Sequence, residues 1–312
     1  MNKEISKIIG EVEKVIVGKR EVVEKILTSI FANGHVLLDD VPGIGKTTMA
    51  VALSRTLGLK FGRIQFTPDV LPSDITGFSL YNKGSDSFVY KPGIAVGVNL
   101  LLGDEINRTS SKTQSALLEA MEEGQVTVDG ESHPLKNPFI VIATQNNVGT
   151  AGTQLLPYAQ LDRFLIKLSI GYPDRQSEME VIRGRQTINP VESTECIISV
   201  EDVLRMQNEV LNVTVKDSVV DYIVRLAEAS RKHELLELGI SPRGSLFVNK
   251  MAKARAYVSG RDYVIPADVQ QVFADVCAHR VILSQTAKGK KITTNQALCT
   301  LLDEVNVPDG MI

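Results

Sequence analysis

Apolar residues follow two different patterns along this chain. In the first half, short segments at 35–38, 61–66, 98–103, 138–144 and 164–170, most of them continuous apolar runs, predict strands. Runs without polar alternation fit strands that are covered on both faces. Between them lie helical patterns. Val22, Val23, Ile26, Leu27, Ile30 and Phe31 recur at helical spacing and stop before Gly34. Residues 48–57 predict a second helix and 111–123 a third, with Ser111 and Gln114 fitting a capping box and Gly124 a stop. Strand–helix alternation of this kind argues for a parallel α/β sheet. Two hairpins interrupt it: 125–128 and 131–135 around Asp129-Gly130, and 78–81 and 87–90 around the polar loop 82–86. A parallel sheet does not need them, so both are candidate working surfaces.

The pattern changes after residue 173. Residues 203–213, 217–233, 242–259 and 266–283 read as helices, Ser241 and Pro242 form a helix start, Gly260 is a stop, and no further strand is predicted. The expected organisation is an α/β domain over 1–173 and an α-helical domain over 174–312.

Composition narrows the class. The 312 residues, 43% hydrophobic and 23% charged, are those of a water-soluble globular chain. A net charge of −3 gives no overall basic footprint for nucleic acid. The most apolar stretch, 93–103, is shorter than the roughly 18 residues a membrane helix needs. The opening MNKEISKIIGEVEK is amphipathic and lacks the apolar core of a signal peptide, so the expected location is the cytosol. Cys196, Cys277 and Cys299 have no paired spacing, which argues against a disulfide framework or a cysteine-based zinc site. Cys277 and His279 lie close together, but on an apolar helical stretch where core packing is the plainer reading.

The strand at 35–38 runs into Asp40-Val41-Pro42-Gly43-Ile44-Gly45-Lys46-Thr47, and a helix follows. This is the strand–loop–helix context of a phosphate-binding loop. Gly43 and Gly45 let backbone N–H groups turn inward around a phosphate, Lys46 would reach the β- and γ-phosphates, and the Thr47 hydroxyl would ligate Mg²⁺. The nucleotide-contact set is Pro42, Gly43, Ile44, Gly45, Lys46, Thr47 and Thr48. Asp40 stands where the usual GxxxxGK[ST] pattern has its first glycine, a position that opens the loop and need not touch phosphate.

The strand at 98–103 ends in Asp104-Glu105, which places two carboxylates where ligands bind in open α/β sheets. Asp104 is suited to hold Mg²⁺ through water, and Glu105 to orient and activate an attacking water. An isolated pair of this kind would read as a solvated turn; the upstream phosphate loop reverses that. Asn146 caps the next strand and could report the state of a γ-phosphate, although Asn is also a common turn former. Arg163 precedes the last strand, and Arg243 lies in the first turn of a second-half helix. An arginine at a subunit edge can stabilise charge on a neighbour's transferring phosphoryl group.

These residues resemble the MoxR family. The likeness rests on 34–38 with 40–47, on QFTPDVLPSDITG at 65–77, on GDEINR at 103–108 and on KTQSALLEAMEEGQVTVDG at 112–130. Residues 143–146, Leu161-Asp162-Arg163-Phe164 and Ser241-Pro242-Arg243 complete it in family order, so that it spans about 15–285. The resemblance implies an AAA+ P-loop core with a parallel five-stranded sheet in the order 5-1-4-3-2, followed by a helical lid. It implies that 78–90 is an insertion in the second helix, that Asn146 is sensor 1, that Arg163 is the arginine finger and that Arg243 is sensor 2. Val17 and Gly18 match the segment lying along the adenine. It further implies hexameric rings, ATP and Mg²⁺ as ligands, and protein clients together with partners carrying von Willebrand factor A domains. The chain departs from the family pattern at 147–153 and at Tyr158, which bears on the loop leading to the arginine finger.

The expected function is therefore Mg²⁺-dependent ATP hydrolysis that drives chaperone-like remodelling of protein clients. A nucleic-acid motor is the first alternative. It needs basic hairpin tips, whereas Lys83 is offset by Asp86, and His133 and Lys136 by Asp129 and Glu131. An ATP-binding switch with little turnover is the second, and the intact Asp104-Glu105 pair argues against it.

Overall fold

The computed structural model describes residues 2–146, 156–184 and 190–308. Two amphipathic helices, α1 (Lys3–Glu13) and α2 (Arg20–Phe31), precede β1 (Val36–Asp39) and α3 (Lys46–Thr56). Then come β2 (Phe61–Gln65), the short α4 (Pro72–Thr76), the hairpin β3 (Gly77–Asn82) and β4 (Ser87–Pro92), and β5 (Leu100–Asp104). A single 3₁₀ turn leads to α5 (Ser111–Glu123), the hairpin β6 (Gln125–Val128) and β7 (Glu131–Pro134), and β8 (Ile140–Gln145). The first half closes with α6 (Tyr158–Leu161), β9 (Ile166–Leu168) and α7 (Arg175–Gly184). The second half contains α8 (Val200–Leu211), α9 (Asp217–Lys232), β10 (Leu236–Leu238), α10 (Pro242–Val258) and α11 (Pro266–Cys277). It ends with β11 (Ile282–Leu283), α12 (Gln285–Gly289) and α13 (Thr294–Glu304).

The main sheet has the order β2-β5-β8-β1-β9, with every neighbour pair parallel. Numbered along the chain, its five strands run 5-1-4-3-2, as the resemblance implied. Its strands alternate between two cores, as period-2 geometry requires. Val36, Leu38, Leu100, Leu102, Ile140 and Ile142 face one apolar core; Leu37, Leu101, Val141 and Ala143 face the other. The first core continues through α1, α2 and α3 into Val203, Tyr222, Met251 and Phe273 of the second half. The second is smaller and is closed by Phe66, Ile75, Leu117 and Leu118 under α4 and α5.

Several expectations need correction. The cap of α5 is Ser110, whose hydroxyl accepts the Thr113 N–H, while Gln114 is buried and donates to the carbonyls of Ile106 and Thr109. Gln114 therefore pins the turn after β5 instead of closing a capping box. The second half does contain strands: β10 and β11 pair antiparallel. The stretch expected to be helical over 266–283 ends at Cys277, because residues 278–280 form a turn before β11. Helices α12 and α13 were not foreseen; α13 is defined by a Thr293–Gln296 capping box. Cys277 is fully buried in the core. Among the described residues no helix is long and apolar enough to cross a membrane.

Candidate active site

The carboxyl edge of the sheet opens into a cleft of about 630 Å³. One wall is the loop between β1 and α3, with Pro42, Gly43, Ile44, Gly45, Lys46, Thr47 and Thr48 all lining the space. Gly43 and Gly45 have φ of +85° and +93°, and a Cβ on either would meet no atom within 4 Å. Glycine is needed here for the turn of the backbone, and the space above the loop is open. Asp40 plays a part that sequence reasoning missed. Its carboxylate accepts bonds from the Ser169 hydroxyl and the Ile170 and Gly171 N–H groups, and its carbonyl accepts from Lys46 Nζ at 2.7 Å. The residue thus ties the start of the loop to the end of β9. Burial pushes the Lys46 ammonium below its ordinary pKa, and the nearby carboxylates of Asp40 and Asp104 oppose that shift.

The acidic pair stands opposite. Asp104 ends β5 and is 7% exposed. Its Oδ2 lies 3.3 Å from the Thr47 hydroxyl and its Oδ1 accepts from the Thr144 hydroxyl at 2.8 Å. Thr144 on β8 also accepts the Glu105 N–H at 2.9 Å. Glu105 sits in the left-handed region at φ +56° and ψ +49°. A non-glycine residue held there costs of order 1–3 kcal/mol, and such strain clusters at functional sites. Three further residues, none singled out from sequence, hold the pair. Arg63 on β2 donates to Asp104 Oδ2 through Nε at 3.0 Å and bonds Gln65. Gln65 and Arg108 both donate to Glu105 Oε2, at 3.1 and 2.7 Å. The sequence shows only that Arg63 and Gln65 are polar at alternate positions of β2; the register that sets Gln65 level with Asp104, and Arg63 level with Leu102, comes from the fold.

Asn146 lines the same cleft, with its backbone bonded to the Asn107 side chain. Another part of the cleft is lined by Val15, Ile16 and Val17 with Tyr172, Pro173, Val181 and Ile182, beside Lys19 and Glu178. Gly18 does not line the space; it turns at φ +71° with Ser177 packed where its Cβ would be.

The fit to a nucleoside triphosphate and Mg²⁺ follows from these groups. The loop presents backbone N–H groups at the N-terminus of α3, together with a lysine. Thr47 and Asp104 offer two hard oxygens side by side, the protein share that Mg²⁺ takes when phosphates and water supply the rest. The apolar side chains of Val15, Ile16, Val17, Val181 and Ile182 suit a base.

Arg163 and Arg243 lie elsewhere. They line a second cavity of about 400 Å³, which shares no lining residue with the cleft. Both pair with Glu122 at the end of α5, at 3.1 and 3.0 Å. In register, Val36 of β1 is level with Ile166 of β9, and Arg163 lies in the turn before β9, off the amino edge of the sheet. The phosphate loop leaves the carboxyl edge.

Two family models match the chain. Residues 35–166 match the ATPase family associated with various cellular activities, and residues 228–300 match the AAA lid domain. The chain is 42% identical over 313 residues to chaperone MoxR1 of Mycobacterium tuberculosis, covering 97% of this chain and 82% of the other. The chain belongs to the MoxR family of AAA+ ATPases. The chain is also 48% identical over 304 residues to the uncharacterized protein YeaC of Bacillus subtilis, covering 97% of this chain and 95% of that one. A crystal structure of a chain assigned as an ATPase from Cytophaga hutchinsonii matches with a TM-score of 0.90 at 41% identity, covering 98% of this chain and 95% of that one. Of the two departures from the MoxR pattern, 147–153 lies outside the described residues, and Tyr158 opens α6 at 55% exposure.

Proposed function

We propose that this MoxR-family chain hydrolyses ATP with Mg²⁺ in the carboxyl-edge cleft and does so as part of a ring of identical subunits, a hexamer by family resemblance. The observation that carries the reading is the convergence of Lys46, Thr47, Asp104 and Glu105 on one open space. When bound, Mg²⁺ would neutralise charge on the β- and γ-phosphates. The chain's own groups do the rest. The loop N–H groups and Lys46 orient the phosphates, and Thr47 and Asp104 hold the metal. Glu105 accepts a proton from the attacking water, and Asn146 bonds at the γ-phosphate position. Val17 lies along the base, with Gly18 shaping the turn beside it.

The two arginines support the ring. Arg163 lies in the turn before Ile166, which is level with Val36, and the loop begins at Asp40, four residues further along the strand direction. At about 3.3 Å per residue those four residues alone span roughly 13 Å, beyond the reach of an arginine side chain. Arg163 and Arg243, side by side on Glu122, are best used on a neighbour's nucleotide, as an arginine finger and a sensor acting together. Residues 174–312 then serve as a lid over the nucleotide unit 1–173, and the hairpins as the working surface. Phe78, Leu80, Tyr81 and Phe88 are exposed on β3–β4, with Phe88 74% exposed. Exposed apolar side chains on both faces of a hairpin suit a protein client better than a phosphate backbone.

The test is phosphate release per subunit across a wide range of protein concentration. The reading expects a steep rise as subunits assemble, lost in Arg163→Ala and in Arg243→Ala while ATP binding persists. Specific activity that stays flat with dilution would overturn the ring.

A further inference from the structure

One buried cation holds the segment that carries Arg163. Arg280 lies in the turn after α11 and is 6% exposed. Its Nε donates to Asp162 Oδ1 at 2.8 Å and its Nη2 to the Asp162 carbonyl at 3.0 Å. The Phe164 and Leu165 carbonyls accept from the same guanidinium. The fork therefore grips the chain on both sides of Arg163. His279 adds its Nε2 at 3.0 Å from the Phe164 carbonyl oxygen. The grip extends to Arg243. Asp162 Oδ2 lies 3.7 Å from Arg243 Nε, and the Phe247 ring has the Arg280 guanidinium 4.7 Å from its centroid and that of Arg243 at 5.5 Å.

Docking of the second half on the sheet does not need this charge. Val272, Phe273 and Val276 of α11 already share the apolar core with Leu165, Ile166 and Leu168. Burying a guanidinium there carries a desolvation cost that apolar side chains of similar size would avoid. What a planar fork gives in return is geometry, because its donors fix carbonyl and carboxylate positions together.

We propose that Arg280 is a positioning residue, which sets Arg163 and Arg243 at the angle needed to reach a neighbouring subunit's nucleotide. This rests on the reading that these arginines act between subunits. The grip also links the lid to the finger, so movement of α11 is transmitted to Arg163.

The test is complementation by mixed subunits. Arg280→Lys keeps the charge and loses the fork. Alone, it is expected to bind a fluorescent ATP analogue with near wild-type affinity while phosphate release falls about 10- to 100-fold, the scale of a misplaced catalytic contact. Glu105→Gln alone is also expected to be inactive, but its arginines are intact. Mixed, the two are expected to release phosphate well above the sum of the separate rates, because Glu105→Gln subunits supply working arginines to Arg280→Lys sites. A loss of fold or of nucleotide binding could not be rescued in this way. Arg163→Ala mixed with Glu105→Gln is the control. If the control pair fails to complement, the intersubunit reading is wrong. If the control complements and Arg280→Lys does not, Arg280 does not act through the arginines and the proposal is overturned. Asp162→Asn, which removes the accepting carboxylate and leaves Arg280 in place, decides the question if Arg280→Lys does not fold. It is expected to complement in the same mixture, and full activity of Asp162→Asn on its own would also overturn the proposal.

Discussion

Thr144→Val is the sharpest probe of the acidic pair. The two side chains have the same shape, so the change removes one hydroxyl and little volume. That hydroxyl is fully buried; it donates to Asp104 Oδ1 and accepts the Glu105 N–H. Its loss leaves the half-buried Glu105 N–H without this acceptor, worth about 1–3 kcal/mol, and removes a bond to a carboxylate, worth about 1.5–3 kcal/mol. Together the nucleotide-free protein should lose roughly 2.5–6 kcal/mol, a fall in Tm of roughly 5–12 °C. The same bond holds Glu105 at its positive φ, so phosphate release should fall about tenfold or more through misplacement of the carboxylate. Thr144→Ser keeps the hydroxyl and deletes one methyl, at a cost of about 1 kcal/mol, and should keep most of the activity. Thermal unfolding and phosphate release on the three proteins provide the assay. A valine variant as stable and as active as the serine variant would refute the assignment of Thr144 as the support of Glu105.

Three other outcomes follow from the same geometry. Arg63 donates to the Asp104 oxygen that faces Thr47, so it competes with Mg²⁺. Arg63→Gln should lower the Mg²⁺ concentration for half-maximal nucleotide binding by about 1.5- to 5-fold, the worth of a half-exposed ion pair, and weaker Mg²⁺ dependence on Arg63 than this would remove it as a competitor. Asp40→Ala should lower stability by about 1–3 kcal/mol in urea unfolding through its lost bonds to β9, while ATP affinity changes little; a large affinity loss would place Asp40 in the phosphate site itself. His279 is buried and stands beside Arg280, and both hold its pKa well below the ordinary 6.5. The folded ring stays neutral while the unfolded one takes a proton, so this contribution is present above pH 6.5 and lost as pH falls below it, at up to about 1.4 kcal/mol per pH unit. His279→Gln should flatten the acid limb of the stability profile, and an unchanged slope would count against the burial argument.

The central strands β1, β5 and β8 were legible because a parallel sheet covered on both faces leaves nearly uninterrupted apolar runs. Lys46 and Thr47 were legible because they open the helix that follows a glycine turn after β1, and Asp104 and Glu105 because they stand at the end of β5. What sequence spacing hid was side-chain geometry between elements distant in the chain. Arg63 and Gln65 act on Asp104 and Glu105 only through the register of β2 with β5. Glu122 joins Arg163 and Arg243 across α5, α6 and α10, and Arg280 reaches back from the end of α11. The pair β10–β11 escaped notice for a simpler reason: strands of three and two residues are too short to show a period.

The central claim is hydrolysis at Glu105. The most direct measurement is phosphate release from Mg²⁺·ATP by the assembled wild type and by Glu105→Gln, with ATP affinity determined on both. The account predicts turnover in the wild type, and a variant that binds ATP as tightly but releases almost no phosphate. Equal turnover in the two proteins, or none in an assembled wild type that binds ATP, would contradict it.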